Sequence, residues 1–93
     1  MLIQQKDNEH RGMFFVGEES EPLAALVYSI AAPTKMVIEH TEVSDELRGK
    51  NVGYQLVHAA VEYARTNNIK IVPLCPFARS VFKKKPEFAD VLS

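Results

Sequence analysis

The hydrophobic pattern of this chain changes period once, at a basic, Gly-containing loop, and that change dictates a strand, a turn and then a helix. Upstream of Val43 the apolar residues come in short, bounded runs. Past Asn51, the residues Val52, Leu56, Ala59, Ala60, Tyr63 and Ala64 recur three and four positions apart, the stripe of an amphipathic helix of about 15 residues. Gln55, His58, Glu62 and Arg65 fall on its wetter side. Asn67 and Asn68 can end it, because Asn tolerates the left-handed conformation of a helix C-cap.

Four strands are expected before the loop. Residues 2–6 and 13–16 read as a hairpin about a polar turn that ends in Gly12. Residues 23–31 carry apolar side chains on both faces, which marks a central strand. Pro33 presets the next turn, and residues 36–43 follow as the fourth strand. Residues 70–74 form a brief fifth strand, and since a strand–helix–strand crossover is right-handed, it should lie parallel to the fourth. Pro76 suits a first helical position and Pro86 a stop, with Phe77, Val81 and Phe82 as the buried face of a second helix. The sum is an α/β (α+β) fold: a mostly antiparallel mixed sheet of five strands with two helices, ordered β-β-β-β-α-β-α, in one domain over residues 1–93.

Composition narrows the partners. The 11 basic and 12 acidic side chains leave a net charge of -1, so nothing draws nucleic acid or anionic lipid in general, and anion binding must be local. The lone Cys75 excludes an intramolecular disulfide and a multi-cysteine zinc site, so no metal is expected, and it suits a reducing compartment. No apolar run approaches the ~20 residues of a membrane span, and the first residues show no basic-then-apolar leader. A cytoplasmic protein is expected, a monomer or a weak dimer through short sheet edges.

The loop itself, residues 48–53, is the candidate site. A strand, a tight turn and a helix N-terminus can wrap backbone N–H groups about a phosphate, with the helix dipole aimed at the same point. Asn51 keeps its N–H and is at ease with positive φ, Gly53 permits close approach, Arg48 offers paired donors and Lys50 a point charge. The plainer reading is a helix entry with Gly for turning and two solvated basic residues. Tyr54 serves packing or ligand contact.

Arg48, Gly49, Lys50, Asn51, Val52 and Gly53 resemble the acyl-CoA pyrophosphate loop of the GNAT acetyltransferase superfamily, with Asn51 where its first glycine is expected. The resemblance extends over residues 36–88, and HTEV, LRGK, PLCPF and PEFAD are similar to the very short, stand-alone branch. It implies a truncated GNAT fold and an N-acetyltransferase that takes acetyl-CoA and an amine or protein acceptor. It also implies that residues 48–54 hold the pyrophosphate and that Glu42 and Val43 offer backbone groups to the pantetheine arm, in a gap where the fifth strand splays from the fourth. The early helices that usually wall the acceptor side have no counterpart. Where many members place a Tyr that protonates the departing thiolate, the spacing after Ala78 delivers Phe82.

Two residues are candidates for the chemistry. Cys75 immediately precedes Pro76, so the following helix would favour its thiolate and make it an acetyl-accepting nucleophile; the alternative is a small buried hydrophobe. His40 could take a proton near neutral pH, with Glu42 on the same side of an ideal strand; the alternative is a structural hydrogen bond. Lys83, Lys84 and Lys85, the only basic run, are solvated helix-end charges or a grip on the 3′-phosphate of CoA or an acidic partner. The rival functions are a non-catalytic CoA-binding module and a plain interaction domain.

Overall fold

The computed structural model describes residues 2–93. Its elements are β1 (Gln4–Asp7), β2 (Arg11–Gly17), β3 (Pro22–Ala32), β4 (Lys35–Val43), α1 (Val52–Asn67), β5 (Lys70–Pro73) and α2 (Pro76–Lys84). Short 3₁₀ turns follow β4 at Asp45–Leu47 and α2 at Pro86–Val91, so Pro86 ends one helix and opens another turn. The strands form one sheet in chain order; β1 to β4 are antiparallel and β5 runs parallel to β4. A sheet of this mixed kind with two helices is the expected fold.

The helices lie on one face. Leu56, Val57, Ala60, Val61 and Ala64 of α1 are fully buried against Leu26, Tyr28, Met36 and Ile38 of the sheet. Each Leu, Val, Ile or Met side chain among them contributes roughly 1.5–3 kcal/mol by leaving water. Phe14, Tyr28 and Tyr63 meet in a ring cluster with centroids 5.6 to 6.3 Å apart. Asn68 caps α1 in the left-handed region, φ 56°, as its residue type predicts. Beyond it, the Ser93 N–H donates to Ile71 O at 2.8 Å, and Ile71 bridges Leu92, which covers the outer edge of β5.

Two irregularities position the site. Val27 pairs with His40 but Tyr28 pairs with Ile38, so Glu39 is an extra residue, a β-bulge. The bulge moves Thr41, not His40, onto the helix-covered face that Ile38 occupies, because opposed residues share a face and Thr41 opposes Leu26. The second irregularity is a splay. β4 and β5 pair only from Lys35–Lys70 to Ile38–Pro73, after which Leu74 and Cys75 both turn their N–H groups to Ile38 O, at 3.0 and 3.3 Å. Among the described residues, β4 has no strand partner on that side beyond Ile38.

Candidate functional site

A cleft of about 300 Å³ opens where the two strands part, floored by Thr41, Val43 and Leu47 and walled by the loop and Phe77. The Leu47, Arg48 and Lys50 N–H groups are consumed locally, donating to Ser44, Asp45 and Leu47 carbonyls. The first N–H to enter the α1 ladder is that of Gln55, donated to Asn51 O at 3.1 Å. Gly49, Asn51, Val52, Gly53 and Tyr54 line the cleft with no backbone partner for their amides among the described residues. Asn51 is the N-cap of α1, yet its side chain makes no capping hydrogen bond, and the first turn holds no acidic residue. The positive end of a 16-residue helix is therefore left uncompensated at the cleft.

The backbone of the loop is bent for this purpose. Asn51 sits at φ 63°, ψ 27°, the left-handed conformation for which Asn is best suited after Gly, and Gly49 sits at φ 81°. Gly53 is required for a different reason. A Cβ there would lie 2.7 Å from the Phe77 ring, so it is Phe77 that approaches Gly53 closely. Phe77 is 41% exposed and belongs to the cleft wall, whereas the buried face of α2 consists of Ala78, Val81 and Phe82; its assignment to that buried face is corrected here by its position on the outer side of the first turn.

The other expected site residues fall as follows. Arg48 reaches the cleft and pairs with Asp45 at 3.0 Å, but their side chains are 75% and 91% exposed, so the pair costs little to break. Lys50 is exposed and outside the lining, and its carbonyl accepts from Gln55 Nε2 at 3.3 Å. Tyr54 is half-buried, stacked on His58 and Phe88 at 6.2 and 6.0 Å, with the Lys85 ammonium 5.1 Å from its ring centre. The Ser44 N–H donates to Leu23 O, and the antiparallel ladder alternates from there. Glu42 and His40 thus turn their backbone groups to β3, while Thr41 and Val43 turn theirs to the splay. Val43 lies where a backbone contact is available, and Glu42 does not.

Cys75 is the N-cap of α2, only 5% exposed, and its thiol hydrogen-bonds Thr41 Oγ1 across the splay at 3.7 Å. Burial pushes the thiol up, but the Ala78 amide, the Thr41 hydroxyl and the amides of Phe77 and Thr41 outweigh it, so Cys75 ionises below the usual range for a thiol. His40 is exposed on the opposite face of the sheet from Thr41, which separates it from Cys75. Phe82 is buried and packs edge-on against Phe88 at 6.2 Å, so no hydroxyl stands at that position. Thr41 is the site residue that sequence reasoning misses, since it joins the cleft only through the bulge.

The fold that carries this cleft is matched in known proteins. Residues 13–91 match the GCN5-related N-acetyl-transferase family, and the chain belongs to that family. It is an acetyltransferase by family and fold. A GCN5-like candidate N-acetyltransferase from Staphylococcus aureus, solved by NMR, is 38% identical over 97% of this chain and 87% of that one, with a TM-score of 0.76. The ribosomal-protein-alanine N-acetyltransferase of Brucella melitensis shares the fold at 14% identity and a TM-score of 0.66, over 83% of this chain and 62% of that one. None of the curated proteins compared with the chain matches it. No described helix is long and apolar enough to cross a membrane.

Proposed function

We propose that the protein binds acetyl-CoA in this cleft and transfers the acetyl group to an amine through Cys75. The observation that carries the reading is the set of partnerless amides of Gly49, Asn51, Val52, Gly53 and Tyr54 at the uncapped start of α1. A diphosphate supplies the charge and acceptors that this turn leaves unmatched, and Arg48 adds paired donors on release from Asp45. The Thr41 and Val43 backbone groups facing the splay suit the amides of a pantetheine arm.

Chemistry at the end of that arm falls to Cys75. Its thiolate attacks the thioester carbonyl carbon; the new sulfur–carbon bond forms, the bond to the CoA sulfur breaks, and CoA leaves carrying the proton the cysteine gave up. A neutral amine then displaces the Cys75 sulfur, forming the amide and restoring the thiol. Backbone N–H groups of Phe77 and Ala78 at the start of α2 steady the charged sulfur in both steps. The free Cys75 fits a reducing compartment such as the cytoplasm.

The test is incubation of purified protein with acetyl-CoA followed by intact mass measurement. One acetyl group gained by the wild type and none by Cys75→Ala supports the thiol route. Turnover of an amine panel undiminished in Cys75→Ala rejects it in favour of direct transfer. The deep burial of Cys75 favours a second reading, a CoA-binding module without catalysis. Tight CoA binding without acetylation of Cys75 or of any amine would select it.

A further inference from the structure

Lys84 and Lys85 lie outside the lining of the cleft. A second basin of about 230 Å³ adjoins the cleft and shares Asn51, Tyr54 and Phe77 with it. Its remaining lining is Ser80, Val81, Lys84 and Lys85, so a hydroxyl and two cations face a space that begins at the phosphate loop. Lys83, the third member of the run, does not line it.

Carboxylates engage several basic side chains of the described surface but neither of these two lysines. Lys6, Arg11, Arg48 and Arg65 each engage a carboxylate, but no ion pair among the described residues involves Lys84 or Lys85. Lys85 is half-buried, fixed at the C-cap of α2 through its N–H to Val81 O at 2.9 Å, and its ammonium rests over the Tyr54 ring. A cation so held, beside a cleft for diphosphate in a chain of net charge -1, is complementary to a second anion on the same ligand.

We infer that the basin lined by Lys84, Lys85 and Ser80 holds the 3′-phosphate of the coenzyme, so that the chain distinguishes 3′-phosphorylated from unphosphorylated adenosine carriers. The inference rests on the acyl-CoA reading of the neighbouring cleft. CoA carries its diphosphate on the 5′ oxygen and its single phosphate on the 3′ oxygen of one ribose. A ligand gripped at the loop therefore presents the second phosphate one sugar width away, across the exposed ring of Phe77 that forms the saddle between the two basins. Lys84 and Lys85 supply charge, and Ser80, whose hydroxyl now donates to Phe77 O at 2.7 Å, retains lone pairs and can turn its proton outward.

The experiment compares CoA with dephospho-CoA by calorimetric titration at fixed salt, in the wild type, in Lys84→Gln/Lys85→Gln and in Lys83→Gln. The wild type and Lys83→Gln should favour CoA by roughly tenfold, as two partly screened charge contacts allow. That preference should shrink to near unity in the double variant, with dephospho-CoA affinity unchanged. Equal binding of the two ligands by the wild type, or a preference that survives the double substitution, overturns the inference while leaving the acyl-CoA site intact. Failure of the wild type to bind either ligand overturns the acyl-CoA reading and this one together.

Discussion

Thr41 Oγ1 and Cys75 Sγ meet 3.7 Å apart at the point where β4 and β5 stop pairing, and this contact ties the only thiol of the chain to the floor of the cleft. Because the hydroxyl helps hold the thiol below its usual range, its removal should be read in the pH dependence of Cys75 reactivity. Thr41→Val should move the midpoint of iodoacetamide alkylation upward, toward the ordinary value of about 8.5. Thr41→Ser should restore the wild-type profile. An alkylation profile identical in all three proteins would show that Thr41 only packs.

Asn51 tests the loop. An Ala in its left-handed conformation costs roughly 1–2 kcal/mol that Gly does not incur, so Asn51→Ala should weaken CoA binding about tenfold, by flattening the turn. Asn51→Gly should bind as tightly as wild type. Were both variants to bind equally, the backbone conformation would be irrelevant to the ligand.

Gly53 and Phe77 act as a pair. In Gly53→Ala the new Cβ forces the Phe77 ring out toward the cleft, while α1 gains up to about 1 kcal/mol from the better helix former. Thermal stability should therefore change little and CoA affinity should fall. Adding Phe77→Leu should recover part of the affinity in the Gly53→Ala background, measured as a thermodynamic cycle.

Arg65 secures the last turn of the chain. Its guanidinium takes both Asp90 oxygens at 2.9 Å, Glu62 at 2.8 Å and Glu87 O at 2.7 Å, and lies over Phe88. Arg65 holds the Asp90 carboxyl below the usual carboxylate range. A depressed folded-state pKa means that this contribution is complete above the unfolded-state value and disappears as pH falls through the folded one. Asp90→Asn should lower the melting temperature at neutral pH and narrow its gap from the wild type on acidification. A gap constant with pH would show that the ion pair contributes nothing.

The order of elements, the helix stripe and both left-handed Asn residues are legible in the sequence because each depends on local backbone preference and period. Asn51 is the clearest example, a residue type chosen for its φ. The faces of β4 are not legible. Alternation alone puts His40 and Glu42 toward the cleft, and the bulge at Glu39, set by cross-strand register with β3, hands those positions to Thr41 and Val43. Phe77 fits a helical apolar stripe by spacing, but its direction is decided by the gap above Gly53, a neighbour on another helix that a local window does not contain. The Arg65 cluster joins positions 25 residues apart, with no periodic mark between them.

The most direct test is a titration of isotopically labelled protein with CoA followed by amide NMR. The amides of Gly49, Asn51, Val52, Gly53 and Tyr54 should shift together with those of Thr41 and Val43, while those of His40 and Glu42, hydrogen-bonded to β3, should move least among the residues of that strand. A set of loop amides unmoved by millimolar CoA would contradict it.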